Sequence, residues 1–184
     1  MGVYGGLQPW NKILRARRYR IAASYGTPLY KGHPVVRIND GTINIATLAS
    51  TNAVLGAALA FFDVNMNPIN YWVASTATAG YCLVADHPEQ EYIIAEDTDT
   101  TPLAVADEGL NVILVATAVG DTTTGLSGYE IDSTSKATDV GHQYRLVELA
   151  RTNGNSVYDA TLCPNPKWIV RLNFGQERPY TVGL

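Results

Sequence analysis

The chain has 184 residues, of which 46% are hydrophobic and only 16% charged, whereas globular domains usually carry about 25% charged residues. This length suits one domain with an extension, and the two cysteines, Cys82 and Cys163, are too few for a disulfide framework. The longest apolar run, Ala53–Phe62, is well short of the ~20 residues that span a bilayer, and the start of the chain lacks a signal-peptide pattern. We therefore expect a protein that folds in a cytoplasm and makes no contact with a membrane.

The charges are distributed unevenly along the chain. Residues 1–40 carry a net charge of +6, residues 41–135 contain twelve acids and no lysine or arginine, and residues 136–184 carry a net charge of +2. Such asymmetry indicates a contact with a charged partner, which could be another protein, a nucleic acid or a second copy of the chain.

The first thirty residues are basic, aromatic and interrupted by glycine and proline, and we predict that they form an extended arm (residues 1–30) on a single β domain (residues 31–184). Asn11–Ile21 could form a short helix, but its apolar residues make no sustained helical stripe. Arginine pairs with carboxylates and packs its stem on apolar surfaces, so a basic arm on an acidic body favours a protein contact. The same bases and aromatic rings could also bind nucleic acid, which we consider the weaker interpretation. The residues that we expect to make protein contacts are Trp10, Ile13, Leu14, Arg15, Arg17, Arg18, Tyr19 and Arg20.

From His33 onward, short apolar or alternating runs are separated by turn residues at intervals of about ten residues, which is typical of a β-barrel or sandwich. Ser50–Ala60 could form a helix, but Gly56 interrupts it and favours a strand. Thr101–Gly109 is the segment in which we predict a helical turn, beginning at Thr101. The predicted fold class is mainly β, a compact β-barrel or sandwich-like body with an extended N-terminal arm and at most one or two short helical turns. The predicted strands are Val35–Ile38, Thr42–Leu48, Leu55–Phe62, Ile69–Val73, Gly80–Ala85, Glu91–Ala95, Val112–Ala116, Gly128–Ile131, Gln143–Leu149 and Trp168–Asn173.

Asp86–Thr100 contains six acids and no basic residue, which raises the question of a metal or catalytic site. Asp97 and Asp99 form a D-x-D pair, but the alternating ligands, central glycine and distant glutamate of a calcium loop are missing from the sequence. We therefore predict no metal site and no cofactor, and we interpret the segment as a turn, a strand and a solvated loop. Its last acids, Glu96, Asp97 and Asp99, are a possible acidic counterpart for the basic arm of a neighbouring copy.

The sequence carries no local signature of catalysis. His33, His87 and His142 each stand next to glycine or proline in turn-like sequence, and neither a G-x-S-x-G motif nor a phosphate-binding glycine motif occurs. We therefore predict that the chain is not an enzyme.

Several segments between Leu55 and Gln176 carry a family resemblance. They read GAALAFFDVNMNPINYW, AGYCLVADHPEQEYIIAEDTD, LAVADEGLNVILV, TGLSGYEIDSTS, QYRLVELARTNGN and KWIVRLNFGQ. In this succession the chain resembles capsid decoration or cement proteins of tailed bacteriophages, small virion proteins that bind outside the major-capsid shell and lock it. The resemblance implies a β-barrel-like body, often with an extended terminal arm, and no catalytic residues.

On this resemblance, we expect a structural protein of the virion that is assembled in the host cytoplasm and lies on the capsid surface. Its expected partners are the major capsid protein and other copies of itself, as a homotrimer in preference to a dimer, because three-fold junctions join the most subunits. One alternative is a virion protein that binds packaged nucleic acid through the basic arm. Another is a receptor- or glycan-binding β module, for which Tyr71, Trp72 and Trp168 would supply stacking surfaces, although their apolar surroundings favour a role in the core.

Overall fold

The computed structural model describes residues 5–48, 52–97, 99, 101–151 and 165–177, and these residues form antiparallel sheets with two short 3-10 turns. The turns are Val105–Asp107 and Ser133–Ser135. The strands are β1 (Gln8–Pro9), β2 (Ala16–Ile21), β3 (Pro34–Arg37), β4 (Ile43–Ile45), β5 (Gly56–Phe62), β6 (Pro68–Ile69), β7 (Gly80–Ala85), β8 (Glu91–Ala95), β9 (Asn111–Val112), β10 (Leu114–Asp121), β11 (Leu126–Ile131), β12 (Tyr144–Leu149) and β13 (Lys167–Leu172).

Sheet one contains six strands in the order β2-β7-β5-β3-β4, with β6 paired to β5. A parallel bridge between Arg20 and Thr42 joins the two edge strands, β2 and β4, so the sheet curls into a barrel. Alternate side chains of the strands point inward and form core two, whose fully or nearly fully buried members include Tyr19, Ile21 and Phe61.

Sheet two has the order β1-β8-β13-β12-β9 and continues through Ile113 into the β10–β11 hairpin. A bridge between Glu96 and Ile131 brings the end of β8 beside β11. This second set of strands surrounds core one, which is rich in aromatic side chains such as Tyr92, Tyr144 and Trp168.

The predicted mainly β fold is confirmed, and most of the strands predicted from Val35 onward coincide closely with the observed ones. Thr42–Leu48 is a strand only over Ile43–Ile45, and Val112–Ala116 falls across β9 and β10, the second of which continues to Asp121. The prediction also differs from the structure at Ile69–Val73. There the strand ends at Ile69, and Trp72 forms only an isolated bridge with Leu29. The predicted helical turn is present, but it begins after Ala104 rather than at Thr101, because the Asp107 carboxylate accepts a hydrogen bond from the Ala104 N–H.

The basic N-terminal segment is extended, as predicted, but its described residues are part of the body. Gln8–Pro9 pairs with β8, and Ala16–Ile21 pairs with β7 along its whole length. Leu7 and Leu29 are buried as well. The reason is an alternation within β2, where Tyr19 and Ile21 face core two while Arg18 and Arg20 face outward. The described part of residues 1–30 therefore does not form a separate arm. Residues 1–4 of the predicted arm lie outside the described residues.

Within the described residues, none of the helical segments has the length and hydrophobicity of a transmembrane helix.

Candidate interaction surface

Residues Trp10–Arg15 cross from sheet two to sheet one, and we call them the crossover segment. The buried side chain of Gln90 holds its backbone on both sides of Ile13. The Gln90 amide donates to the Lys12 carbonyl (3.0 Å) and its oxygen accepts from the Leu14 N–H (2.8 Å). The Trp10 N–H donates to the Glu91 carbonyl at 2.9 Å. The crossover segment is therefore fixed to the body at both of its ends.

The crossover segment displays two large apolar side chains. Ile13 is 52% exposed and Leu14 40% exposed, and Lys12 beside them is exposed as well. Trp10 is half-buried. Exposed apolar side chains on a fixed backbone suit a contact with another protein, because little conformational freedom remains to be lost on binding.

Asp86, which is fully buried, lies at the end of β7 at the centre of a network whose arginines are partly exposed. Its two carboxylate oxygens accept from Arg15 Nε and Arg17 Nε, each at 2.8 Å, and from the Tyr19 hydroxyl at 2.6 Å. Glu177 accepts from the outer nitrogens of both arginines. Burial and the bond to Asp86 raise the pKa of Tyr19 to about 12. This network secures β2 and residue 177 to the β7–β8 connection.

The network changes the role of the eight residues for which contacts were predicted. Arg15, Arg17 and Tyr19 are engaged inside the chain. Arg18 and Arg20 remain exposed on the outer side of β2. With two of the five bases between Lys12 and Arg20 committed to Asp86 and Glu177, the segment offers fewer charges to nucleic acid phosphates than its sequence suggested.

Of the predicted acidic counterpart, Glu96 is not available to a neighbouring copy. Its side chain is 1% exposed and accepts hydrogen bonds from Leu103 N–H (3.0 Å) and from Trp168 Nε1 (2.8 Å). Burial raises the pKa of Glu96 to about 7, against the opposing effect of these two hydrogen bonds. Glu96 is thus a structural residue of core one.

Asp97 and Asp99 do remain at the surface, and the fold adds Asp132 to them. One carboxylate oxygen from each of the three lies within 4.8 Å of the others. The Ser133 hydroxyl oxygen lies 2.9 Å from a carboxylate oxygen of Asp97 and 2.9 Å from one of Asp99, and its single proton is available to either carboxylate. Burial is also the main cause of the raised pKa of Asp97. Asp132 is 33 residues from Asp99 in sequence (132 − 99), so sequence spacing alone does not associate them.

Of the three histidines, His33 is fully buried. Its Nε2 lies 2.7 Å from the Val119 carbonyl oxygen, and its Nδ1 accepts from the Tyr30 N–H at 3.3 Å. Only the neutral ring can donate at Nε2 and accept at Nδ1. Burial lowers the pKa of His33 to about 4, which matches this structural role.

The aromatic residues considered for glycan stacking are mostly inside the molecule. Trp72 and Trp168 are 1% and 0% exposed, and Tyr71 stacks on Tyr30 with ring centroids 5.0 Å apart. The prediction of a core role is confirmed for the two tryptophans.

An open cleft of about 700 Å³ lies beside β2, lined by Tyr19, Arg37 and Phe174 among others. At Arg37 the cleft is bordered by Gln176, whose amide oxygen accepts from the Arg37 N–H and whose amide nitrogen donates to the Arg37 carbonyl. The cleft is thus lined both by residues of sheet one and by Phe174 and Gln176, which are among the last described residues.

The chain has no significant match among models of known families, curated proteins or solved structures.

Proposed function

We propose that this chain is a structural protein of a bacteriophage virion, a capsid decoration or cement protein that binds the outside of the major capsid shell and stabilises it. In this role the protein performs no catalytic step, and its work is done by contacts alone. The proposal is motivated by the sequence resemblance between Leu55 and Gln176 and supported by the geometry of the crossover segment.

The observation that carries the proposal is the fixed exposure of Ile13 and Leu14. Gln90 holds the backbone on either side of Ile13, so the two side chains are presented in one arrangement. A protein that locks a shell benefits from such preorganisation, because each contact loses little entropy when it forms. Several modest contacts per copy, and several copies per shell, then raise the overall avidity.

The test uses purified protein and undecorated shells of the parent phage. We expect wild-type protein to co-sediment with the shells and the double variant Ile13→Ser, Leu14→Ser to bind more weakly. Each side chain is about half exposed, and full burial of such a side chain is worth about 1.5–3 kcal/mol, so the two together contribute about 2 kcal/mol, or roughly 30-fold in affinity.

Val64→Ser is the matched control, since Val64 is also about half exposed, at 50%, but lies outside the crossover segment. If wild-type protein fails to bind the shells at all, the proposed function is wrong. If the double variant binds as well as wild type, the function survives and the crossover segment is not the contact.

A further inference from the structure

One face of sheet one packs on core two, and the part of the opposite face around Ala57 and Ala85 packs on core one. The remainder of that opposite face, the outer face, belongs to neither core. Residues paired directly across neighbouring strands project to the same side, so the register defines two rows on the outer face. The rows are Arg18–Leu83–Ala60 and Arg20–Tyr81–Phe62–Pro68, and we call these seven residues the outer patch.

The large apolar side chains of the outer patch belong to neither hydrophobic core. Phe62, Tyr81 and Leu83 are half-buried, yet none of them packs against either hydrophobic core. Met66, 37% exposed, extends the patch, with its Sδ 3.7 Å from Arg18 Nη1. Aromatic side chains, methionine and arginine together are the composition enriched at the centres of protein interfaces.

The charge of the outer patch is positive. Arg18 and Arg20 are exposed, and among the residues that the structure describes neither forms an ion pair. The pKa of Asp40 is lowered mainly by hydrogen bonds from Thr42, and Arg20 contributes only a minor additional effect. A partner of the outer patch should therefore present carboxylates beside small apolar groups.

The chain itself presents such a surface just after the ends of β8 and β11. Asp97, Asp99 and Asp132 bring three carboxylates together, and over the described ranges of the chain no lysine or arginine forms an ion pair with them. Pro102 and Ala104, which follow closely in sequence, are exposed and supply small apolar surface.

Within one copy the two surfaces lie on different sheets. The outer patch uses Tyr81 and Leu83 of β7, which lie before Asp86, whereas Asp97 follows the far end of β8. β7 belongs to sheet one and β8 to sheet two, and among the described residues no ion pair joins Arg18 or Arg20 to Asp97, Asp99 or Asp132.

From this charge complementarity we propose that the outer patch docks on the Asp97–Asp99–Asp132 surface of a second copy of the chain. The contact joins two different surfaces, so its repetition produces a closed ring or an open chain of copies. It concerns copies of this chain alone and does not depend on the proposed attachment to a capsid.

The test measures self-association of the full chain by analytical ultracentrifugation at low and high salt. Wild-type protein should associate, and more weakly at high salt, because exposed charges are screened within about 8 Å at physiological ionic strength. Arg18→Glu/Arg20→Glu and, separately, Asp99→Lys should each associate about tenfold more weakly or not at all. Arg145→Glu, which changes an exposed arginine of β12 outside the outer patch, should behave like wild type.

The decisive step is to mix the two weakened variants. The Arg18→Glu/Arg20→Glu copy keeps the acidic surface and the Asp99→Lys copy keeps the outer patch, so the mixture should contain one intact contact and form a 1:1 heterodimer. Circular dichroism and thermal unfolding of each variant establish that it is folded before mixing.

Three results would overturn the proposal. The first is a wild-type chain that stays monomeric at low salt up to its solubility limit. The second is unchanged association of either variant, which would place the contact elsewhere. The third is a monomeric wild type that binds a single-stranded oligonucleotide and loses this binding in Arg18→Glu/Arg20→Glu, which would assign the outer patch to nucleic acid.

Discussion

Replacing Glu96 by glutamine should stabilise the protein at alkaline pH relative to acidic pH, because Glu96 is a carboxylate buried in core one. Its pKa is raised from 4.5 to about 7, a difference of 2.5 (7 − 4.5). A carboxyl group with a raised pKa contributes its full stability below the unfolded value and loses it as pH rises through the folded value. At about 1.36 kcal/mol per pKa unit, the wild-type chain loses about 3 kcal/mol between pH 4 and pH 8 from this residue.

Glutamine has the shape of the protonated side chain and does not titrate. It can accept only one of the two hydrogen bonds that Glu96 receives from Leu103 and Trp168, which lowers stability by a constant amount at every pH. The stability of Glu96→Gln minus that of wild type should therefore rise by about 3 kcal/mol from pH 4 to pH 8. Taking the difference between the two proteins removes the contributions of all other titrating groups.

Urea unfolding followed by tryptophan fluorescence measures this difference, since Trp168 contacts Glu96 directly. For a slope of about 1–3 kcal/mol per molar urea, the change corresponds to roughly 1–3 M in the relative midpoints. Glu148→Gln, at an exposed position of β12, is the control for loss of a surface carboxyl. A pH-independent difference for Glu96→Gln, or one that falls as pH rises, would refute the reasoning, because the hydrogen bonds would then outweigh burial.

Three further predictions concern the other buried polar groups. Asp86→Asn should reduce the free energy of unfolding by about 2 kcal/mol, because a fully buried carboxylate loses its charge-assisted hydrogen bonds to two arginines that are themselves partly exposed. Glu177→Gln, at a half-buried surface pair, should change it by less than about 1 kcal/mol, and chemical denaturation distinguishes the two. Gln90→Leu should leave the fold intact but raise hydrogen exchange at the Leu14 amide and weaken shell binding, and unchanged exchange would show that Gln90 does not hold the crossover segment. His33, with its pKa lowered to about 4, contributes stability that is present above pH 6.5 and lost as pH falls towards 4, and its ring protons should titrate near pH 4 by NMR rather than near 6.5.

The strands of the body could be predicted because apolar or alternating runs and the turn residues between them are local features of the sequence. Gly80–Ala85 and Glu91–Ala95 are apolar or alternate with period two, and the Asp86–Pro88 turn lies between them, which is enough to place two strands. The same rules do not determine which strands become neighbours, and pairs such as β8–β13 and β9–β12 join strands that are not consecutive in the chain.

The positions of β2 and Glu96 are not predictable from the sequence for a common reason, which is that their partners are distant in sequence. Tyr19 and Ile21 alternate with Arg18 and Arg20, as in a strand with one buried face. The high density of arginine in the same segment, however, favours a solvent-exposed arm. Arg17 faces inward because Asp86, 69 residues later (86 − 17), receives it at the end of the sheet. Likewise Glu96 can be buried because Trp168 donates to it from β13. A buried charge is recognisable from sequence only when its partner is near in sequence.

The position of the N-terminal segment constrains the order in which the chain folds. Arg17 pairs with Val84, 67 residues later (84 − 17), and Gly5 bridges Ser127, 122 residues later (127 − 5). The first strands to leave the ribosome therefore wait for partners synthesised long afterwards, and non-local pairing of this kind is associated with folding in milliseconds to seconds. Until β2 is in place, β7 presents an unpaired edge that can bind another chain. Removing residues 1–24 would leave that edge open permanently, so we expect such a truncated chain to aggregate during synthesis rather than fold as a body without its arm.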